Sequence, residues 1–299
     1  MLDWNKIQCY PIRERVNKFT LADLIPIDNQ VVSPDPQIDA VARAVADAKQ
    51  RNAKVIVMIG GAVIKTGCSL LLIDLLQHRL IDHLALNGGA SIHDFEIGLI
   101  GATSENVQNG LATGKFGMVH ETLTGMNEAI NTGSRFGWGY GQSIGEHISR
   151  QDFPYKTFNL LYNCHQLGIP GTVHIAIGGD IIHQHPSCNG AALGSTSYQD
   201  FKILTESVAG LNHGVLLNIG SAVNLPEVFL KAITIVRNLG LDVGQFTTAN
   251  FDFLDMYRPR TRIVEWPQSI GCQGYDIRAA HPRSVPTLHR LIKHYLEQS

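Results

Sequence analysis

The chain alternates short apolar runs with stretches of helical periodicity. Four runs are rich in aliphatic or β-branched residues, as in buried strands, and each ends at a glycine or asparagine turn. They lie at 54–59, 83–86, 171–177 and 214–218. Residues 69–78 and 225–238 have helical apolar faces, the second opened by Pro226-Glu227. Residues 244–249 and 261–265 have the pattern of two later strands. Strands that alternate with helices predict an α/β fold, a Rossmann-like parallel sheet wrapped by helices.

The glycine turns carry the first functional hypothesis. In a parallel sheet, ligands bind outside the carboxyl ends of the strands, where glycine lets backbone N–H groups approach a phosphate. Four such turns at equivalent places favour a large nucleotide-like ligand; the alternative is that glycines merely end the strands. Neither a P-loop nor a GxGxxG sequence follows a strand, so a dinucleotide would bind without the usual signature.

Composition narrows the class of protein. The 299 residues carry 24 basic against 26 acidic side chains, which argues against a nucleic-acid partner. With 44% hydrophobic and 17% charged residues, the chain does not resemble a disordered one. The five cysteines are scattered without a CxxC pair, and no apolar run approaches the ~20 residues that span a bilayer. We therefore expect a soluble cytoplasmic protein with no membrane partner.

The segment 87–96, NGGASIHDFE, is the first candidate for chemistry. His93, Asp94 and Glu96 follow the glycine turn, and His93 and Glu96 share a helical face if the helix starts near Ser91. A histidine with carboxylates near such a turn could act as acid or base, or orient an amine. The alternative is that Asp94 and Glu96 cap the first turn of a helix.

Three later segments supply further candidates. Asp180 follows two glycines at a strand end and is the stronger site candidate. His183, His185 and Cys188 could in principle bind zinc, but we predict no metal site. The segment 218–227 could hold a phosphate or carboxylate through its amides and Ser221, or could simply cap a helix. The segment 247–266 combines acidic residues, arginines and aromatics, as in an anion or cofactor-edge site, although a surface hairpin is the alternative.

In five ordered blocks the chain resembles the deoxyhypusine synthase family, an NAD-dependent group with a variant nucleotide-binding fold. These blocks are 60–67 (GGAVIKTG), 87–94, 178–180 with His183, 220–221, and 248–252 (TANFD). The resemblance implies one deoxyhypusine synthase-like domain over 1–299, with 1–50 as an N-terminal extension packed on or between subunits. It implies a homotetramer, or a homodimer, with shared sites. It also implies a set of NAD-binding residues: Gly61, Thr66, Gly67, Asn87, Gly88, Gly89, Gly220, Ser221, Asn250 and Asp252.

One departure bears on the reaction. The family's catalytic lysine follows a tryptophan and a glycine, whereas here Trp266 is followed by Pro267 and Gln268, with no lysine between Lys231 and Lys293. Imine chemistry on the enzyme needs a primary amine, which glutamine cannot supply. Lys65, on the first glycine turn, could replace it only with rearranged geometry.

The asparagine turn and His-Asp-x-Glu stretch of 87–96 are also similar to archaeal NAD-dependent ornithine cyclodeaminases, whose chemistry needs no enzymic lysine. The leading hypothesis is therefore an NAD-dependent enzyme that transfers a hydride from a small amine, amino acid or polyamine. Asp94, Glu96 or Asp180 would hold the ammonium group, and His93 or His183 would move protons. The alternatives are a deoxyhypusine synthase with a displaced lysine and a non-catalytic NAD-binding module.

Overall fold

The computed structural model describes residues 2–28 and 35–298. In that part of the chain the strands are β1 Phe19–Thr20, β2 Val55–Ile59, β3 His83–Asn87, β4 Ala102–Thr103, β5 Gly171–His174, β6 Val215–Ile219, β7 Thr247–Asp252 and β8 Gln273–Arg278. The helices are α1 Pro36–Gln50, α2 Gly61–Lys65, α3 Ser69–Gln77, α4 Gly88–Ile100, α5 Val107–Thr113, α6 His120–Phe136, α7 Tyr140–Arg150, α8 Leu160–Leu167, α9 Gly190–Ala209, α10 Asn224–Asn238, α11 Tyr257–Pro259 and α12 His281–Glu297. A π-helical turn, Arg260–Glu265, follows α11.

Six strands form a parallel sheet in the order β5-β3-β2-β6-β7-β8. From β2 the chain moves outward to β3 and β5, then returns beside β2 to place β6 and moves outward the other way to β7 and β8. The direction of winding therefore reverses between β2 and β6. In open sheets the ligand crevice lies outside the carboxyl ends of the two strands at this point. The predicted α/β architecture with a parallel sheet is confirmed.

The sheet is buried on both faces, which is why its strands read as continuous apolar runs. Val57 and Ile59 of β2 belong to the larger hydrophobic core, with α1, α3 and α12, whereas Ile56 and Met58 join a second core under α9 and α10. This two-sided packing fixes the carboxyl ends of the strands along one edge and leaves the turns after them to form clefts.

The N-terminal residues lie against the rest of the chain. Tyr10 pairs with Val119, β1 pairs antiparallel with β4, and α1 packs along α12. Of the expected extension, 1–50, residue 1 and residues 29–34 lie outside the described part of the chain. Within the described part, no helix has the length and apolar character needed to cross a bilayer.

Three local features near the C-terminus differ from the prediction. The run 261–265 is not a strand but the π-helical turn, whose Ile263 and Val264 pack into the second core, so tertiary packing overrides the β-branched composition. The edge strand β8 was missed because its sequence, QGYDIR, is mostly polar and only Ile277 is buried. The strand predicted at 244–249 is shifted and runs from Thr247 to Asp252.

Candidate functional site

The winding reversal is lined by two glycine turns in direct contact. A side chain on Gly60 would collide with the carbonyl oxygen of Gly220, and the Gly60 amide donates to the carbonyl of Ile219 at 2.9 Å. Gly220 has a φ of +66°, a left-handed conformation that favours glycine. Both glycines are therefore required by geometry, and they meet where a ligand crevice is expected in this fold, between the carboxyl ends of β2 and β6. We call this place the glycine crevice.

The next residue of the first turn faces a different space. A Cβ on Gly61 would lie 3.0 Å from the ring of His93 and 3.4 Å from the backbone of Gly89. These two residues line a cleft of about 240 Å³ that also contains Lys65, Glu105 and Asp180. Two consecutive glycines thus join the glycine crevice to this second space, the polar cleft.

His93 is held in one neutral tautomer. The hydroxyl of Thr103 donates its single hydrogen to Glu96 Oε2 at 2.5 Å, so it can only accept from His93 Nδ1, 2.8 Å away. Nδ1 therefore carries the proton and Nε2 keeps its lone pair. Burial lowers the pKa of His93 to about 4, which keeps the ring neutral at pH 7. The arrangement gives the polar cleft a pre-oriented proton acceptor.

Glu96 is the anchor of this network. Arg15 donates two hydrogen bonds to its carboxylate, at 2.7 and 2.8 Å, and Thr122 donates a third at 2.9 Å. Both members of the ion pair are buried, with side-chain exposures of 4% and 1%. Glu96 therefore fixes Thr103, and through it His93, and ties the N-terminal segment to α4.

Asp94 is not brought into the polar cleft. Its carboxylate accepts from the backbone amides of Leu160 and Leu161, at 2.7 and 3.0 Å, and so caps the start of α8. Complete burial raises its pKa to about 7. The helical spacing places Asp94 and His93 on different faces of α4, which explains why adjacent residues have separate surroundings.

Asp180 does lie in the polar cleft. Its carboxylate fills the space that a side chain on Gly88 would occupy, at the N-terminus of α4, and its Oδ2 has no hydrogen-bond partner among the described residues. Partial burial raises its pKa to about 6. Because this carboxylate covers the start of α4, a phosphate would have to bind elsewhere, at the glycine crevice.

His183 stabilises the loop that carries Asp180. Its Nδ1 accepts from the amides of Gly178 and Asp180 at 3.1 and 3.2 Å, so the neutral ring carries its proton on Nε2. Burial lowers its pKa. In the described part of the chain Nε2 finds no partner. His183 thus holds the glycine-rich turn in shape.

The remaining residues of the expected NAD set fall into two groups. Thr66 bonds to the carbonyl of Ala62, Gly67 (φ +85°) packs on the backbone of Asp23, and Asn87 caps α4. Ser221 is buried beside Gly220, whereas Asp252 ends β7. The first group supports the turns, and the second lies along the glycine crevice.

A row of polar side chains crosses the sheet next to that crevice. Asn218, Asn250 and Asp276 are in register on β6, β7 and β8, with hydrogen bonds of 2.9 Å from Asn218 to Asn250 and from Asn250 to Asp276. Asn218 Oδ1 and the buried hydroxyl of Thr248 have no partner among residues 2–28 and 35–298. The unpaired Oδ1 of Asn218, two residues before Gly220, fits a polar ligand bound at the glycine crevice.

The described residues contain no group of three or more histidine, cysteine, aspartate or glutamate side chains placed to hold a metal ion.

Sequence reasoning missed the residues that complete the polar cleft. Arg15 lies 81 residues from its partner Glu96, and no local sequence pattern predicts the ion pair. Thr103 ends the two-residue strand β4 and Glu105 lies in the loop after it, so only the fold shows that they reach His93 and the cleft. Lys65 was named from the sequence, on the first glycine turn; it lies four residues after Gly61 on the same face of α2 and lines the cleft.

Comparisons with known proteins support the fold. No protein-family model matches the chain, and no curated protein matches its sequence. A conserved Methanococcus maripaludis S2 protein, provisionally assigned as LOR/SDH, superposes with a TM-score of 0.51 at 16% identity, over 92% of this chain and 74% of its own. AgrE in a ternary complex with ornithine and NAD⁺ superposes with a TM-score of 0.50 at 16% identity, over 89% of this chain and 34% of its own.

An Entamoeba histolytica protein provisionally assigned as a deoxyhypusine synthase superposes with a TM-score of 0.50 at 9% identity, over 86% of this chain and 87% of its own. The chain spans about one third of the length of AgrE and of the cyanobacterial arginine dihydrolase ArgZ. At these identities the similarity shows the fold, and the expected deoxyhypusine synthase-like fold is confirmed.

Proposed function

We propose that the chain is an NAD-dependent enzyme that acts by hydride transfer on a small amine, amino acid or polyamine. One observation carries the proposal: the consecutive glycines 60 and 61 contact the glycine crevice on one side and the polar cleft on the other. An elongated dinucleotide seated in the crevice would therefore have one end at His93 and Asp180. The presence of ornithine and NAD⁺ together on AgrE, which shares the fold, supports the same assignment.

Each residue of the polar cleft would have its own role in the reaction. Bound NAD would supply a hydride acceptor for the carbon that carries the nitrogen. Asp180 would hold the substrate ammonium, because its free carboxylate oxygen has no partner in the described chain. His93 Nε2 would accept a proton from that ammonium, with the tautomer fixed through Thr103. Glu96 and Arg15 keep this relay in place.

The test is a titration of the purified chain with NAD and NADP, alone and with ornithine, arginine or spermidine. We expect binding of NAD, and formation of reduced nicotinamide with at least one amine. The variants His93→Gln and Asp180→Asn should keep NAD binding and retain only a small residual turnover. Binding of NAD without turnover on any amine would favour the non-catalytic module, and failure to bind either dinucleotide would overturn the proposal.

Lys65 favours a second candidate, transfer of an aminobutyl group as in deoxyhypusine synthesis with a displaced lysine. Lys65 lines the polar cleft with His93, on the same face of α2 as Gly61. Its amine could attack an oxidised, imine-bearing carbon and displace the first amine. Borohydride trapping with NAD and spermidine tests this, because a covalent adduct on Lys65 is expected only for this candidate. Lys65→Arg keeps the charge without the nucleophile and is the matched control.

The resemblance also implies two or four copies with shared sites, which sedimentation of the full chain would test.

A further inference from the structure

A buried histidine lies under the glycine crevice with both ring nitrogens unbonded. His281, the first residue of α12, is 3% exposed, and neither nitrogen has a hydrogen-bond partner among the described residues. Buried polar side chains are usually bonded, so a ring with two unpaired nitrogens needs an explanation. Its position supplies one.

The ring packs where Gly220 lacks a side chain. A Cβ on Gly220 would lie 2.7 Å from His281 Nε2 and 3.2 Å from the adjacent ring carbon, so this glycine is needed for the ring as well as for its own φ. Val63 of α2 closes the same space. His281 therefore sits at the turn after β6, directly beside the winding reversal where the fold places a ligand.

We propose that His281 binds the pyrophosphate of the dinucleotide and takes up one proton from solvent as it does so. The inference rests on the proposed function. The ring gives up no hydrogen bond to a described residue when it turns toward the crevice, and a phosphate oxygen offers the acceptor that the buried site lacks. The imidazole becomes imidazolium, and the ion pair with the phosphate stabilises that form.

The charges around the ring are compatible with this protonation. Burial lowers the pKa of His281 in the unliganded chain, while the carboxylate of Asp252 at the end of β7 acts in the opposite direction. Arg278, at the end of β8, is paired with Asp255 and Asp276, and Lys65 of α2 lines the polar cleft instead. An added phosphate would supply the negative charge that raises the pKa of the ring.

Calorimetric titration with NAD and with ADP-ribose, at about pH 6 and about pH 8, tests the proposal in buffers of different ionisation enthalpy. We expect the unaltered chain to take up close to one proton and to lose up to about tenfold in affinity per unit rise in pH. His281→Asn should bind more weakly at low pH, take up no proton and show a flat profile. His294→Asn, which removes an exposed histidine of the same helix, should behave like the unaltered chain.

The outcomes are separable. If His281→Asn and the unaltered chain bind NAD with the same pH slope and the same proton uptake, His281 is not a phosphate ligand and the inference falls. If the unaltered chain binds no NAD at any pH, the proposed function falls with it. Should His281→Asn fail to fold, the ring of His281 in the unaltered chain can be followed by NMR. It should change from neutral to protonated when NAD is added, and an unchanged ring would overturn the inference.

Discussion

The glycine crevice and the polar cleft lie at the same edge of one sheet, yet one is lined by backbone and the other by ionisable side chains. The crevice is formed by backbone and by residues without side chains, with Gly60 and Gly220 in contact. The cleft is formed by ionisable side chains, His93, Lys65, Glu105 and Asp180. A backbone surface binds through shape and fixed N–H groups, whereas a cleft of titratable groups can exchange protons. The first suits holding a cofactor, and the second suits chemistry on a substrate.

The largest expected effect comes from closing the crevice. Gly60→Ala places a methyl group against the carbonyl of Gly220, backbone that cannot move aside cheaply. We expect the NAD affinity to fall by at least about 100-fold, about 2.7 kcal/mol, with a loss of stability. Calorimetry and thermal unfolding measure the two effects. Gly194→Ala, at a helical glycine with open space around it, is the control: it should leave NAD affinity unchanged and raise stability by about 0.4–1 kcal/mol, because alanine is the better helix former.

The second prediction separates support from chemistry. Arg15→Met leaves the buried carboxylate of Glu96 without its guanidinium, which should lower the free energy of unfolding by about 3–5 kcal/mol. The double variant Arg15→Met, Glu96→Leu removes both charges and should recover much of that loss. Urea unfolding of the three chains measures it. Equal instability of the single and double variants would show that packing, not the ion pair, holds the N-terminal segment.

How far the sequence could predict these two regions follows from the range of the interactions. The apolar runs and glycine turns are local, so the parallel sheet and the turns at Gly60, Asn87 and Gly220 were predictable. The cleft depends on pairs such as Arg15 with Glu96 and Thr103 with His93, which only tertiary packing brings together.

Neighbours in sequence also diverge in role. His93 and Asp94 are adjacent, but the helix turns one toward the cleft and the other toward α8. Likewise β8 and His281 were missed together, because a polar edge strand gives no periodic signal and the residues after it then lack a place in the fold.

The third prediction tests the fixed tautomer of His93. Thr103→Val removes the hydroxyl that joins His93 to Glu96, so the ring can adopt either tautomer. We expect turnover with the active amine to fall about tenfold, against about 10²–10⁴-fold for His93→Gln, with NAD affinity unchanged in both. Thr103→Ser keeps the hydroxyl and should restore turnover. A Thr103→Val enzyme with full turnover would mean that the relay does not position the base.

The smallest expected effect is a difference in sign between two pH dependences, that of kcat/KM and that of NAD affinity. It distinguishes the two regions most directly. Asp180 has a pKa raised to about 6, so it loses the charge that would hold an ammonium group as the pH falls through about 6, and kcat/KM should fall with it. His93, with a pKa of about 4, stays unprotonated across this range and cannot cause the decline. NAD affinity, if His281 takes up a proton, should rise as the pH falls over the same range.

The stability of the fold changes with pH in the opposite sense to kcat/KM. Because its pKa is raised, Asp180 stabilises the folded chain at low pH, and this contribution is lost as the pH rises through about 6. Loss of stability at Asp180 therefore cannot explain the decline in kcat/KM on acidification. In Asp180→Asn the residual kcat/KM should show no acidic decline, while the pH profile of NAD affinity stays as it was. If both profiles moved in the same direction in the unaltered chain, one group would govern both regions and their division into holding and reacting parts would be lost.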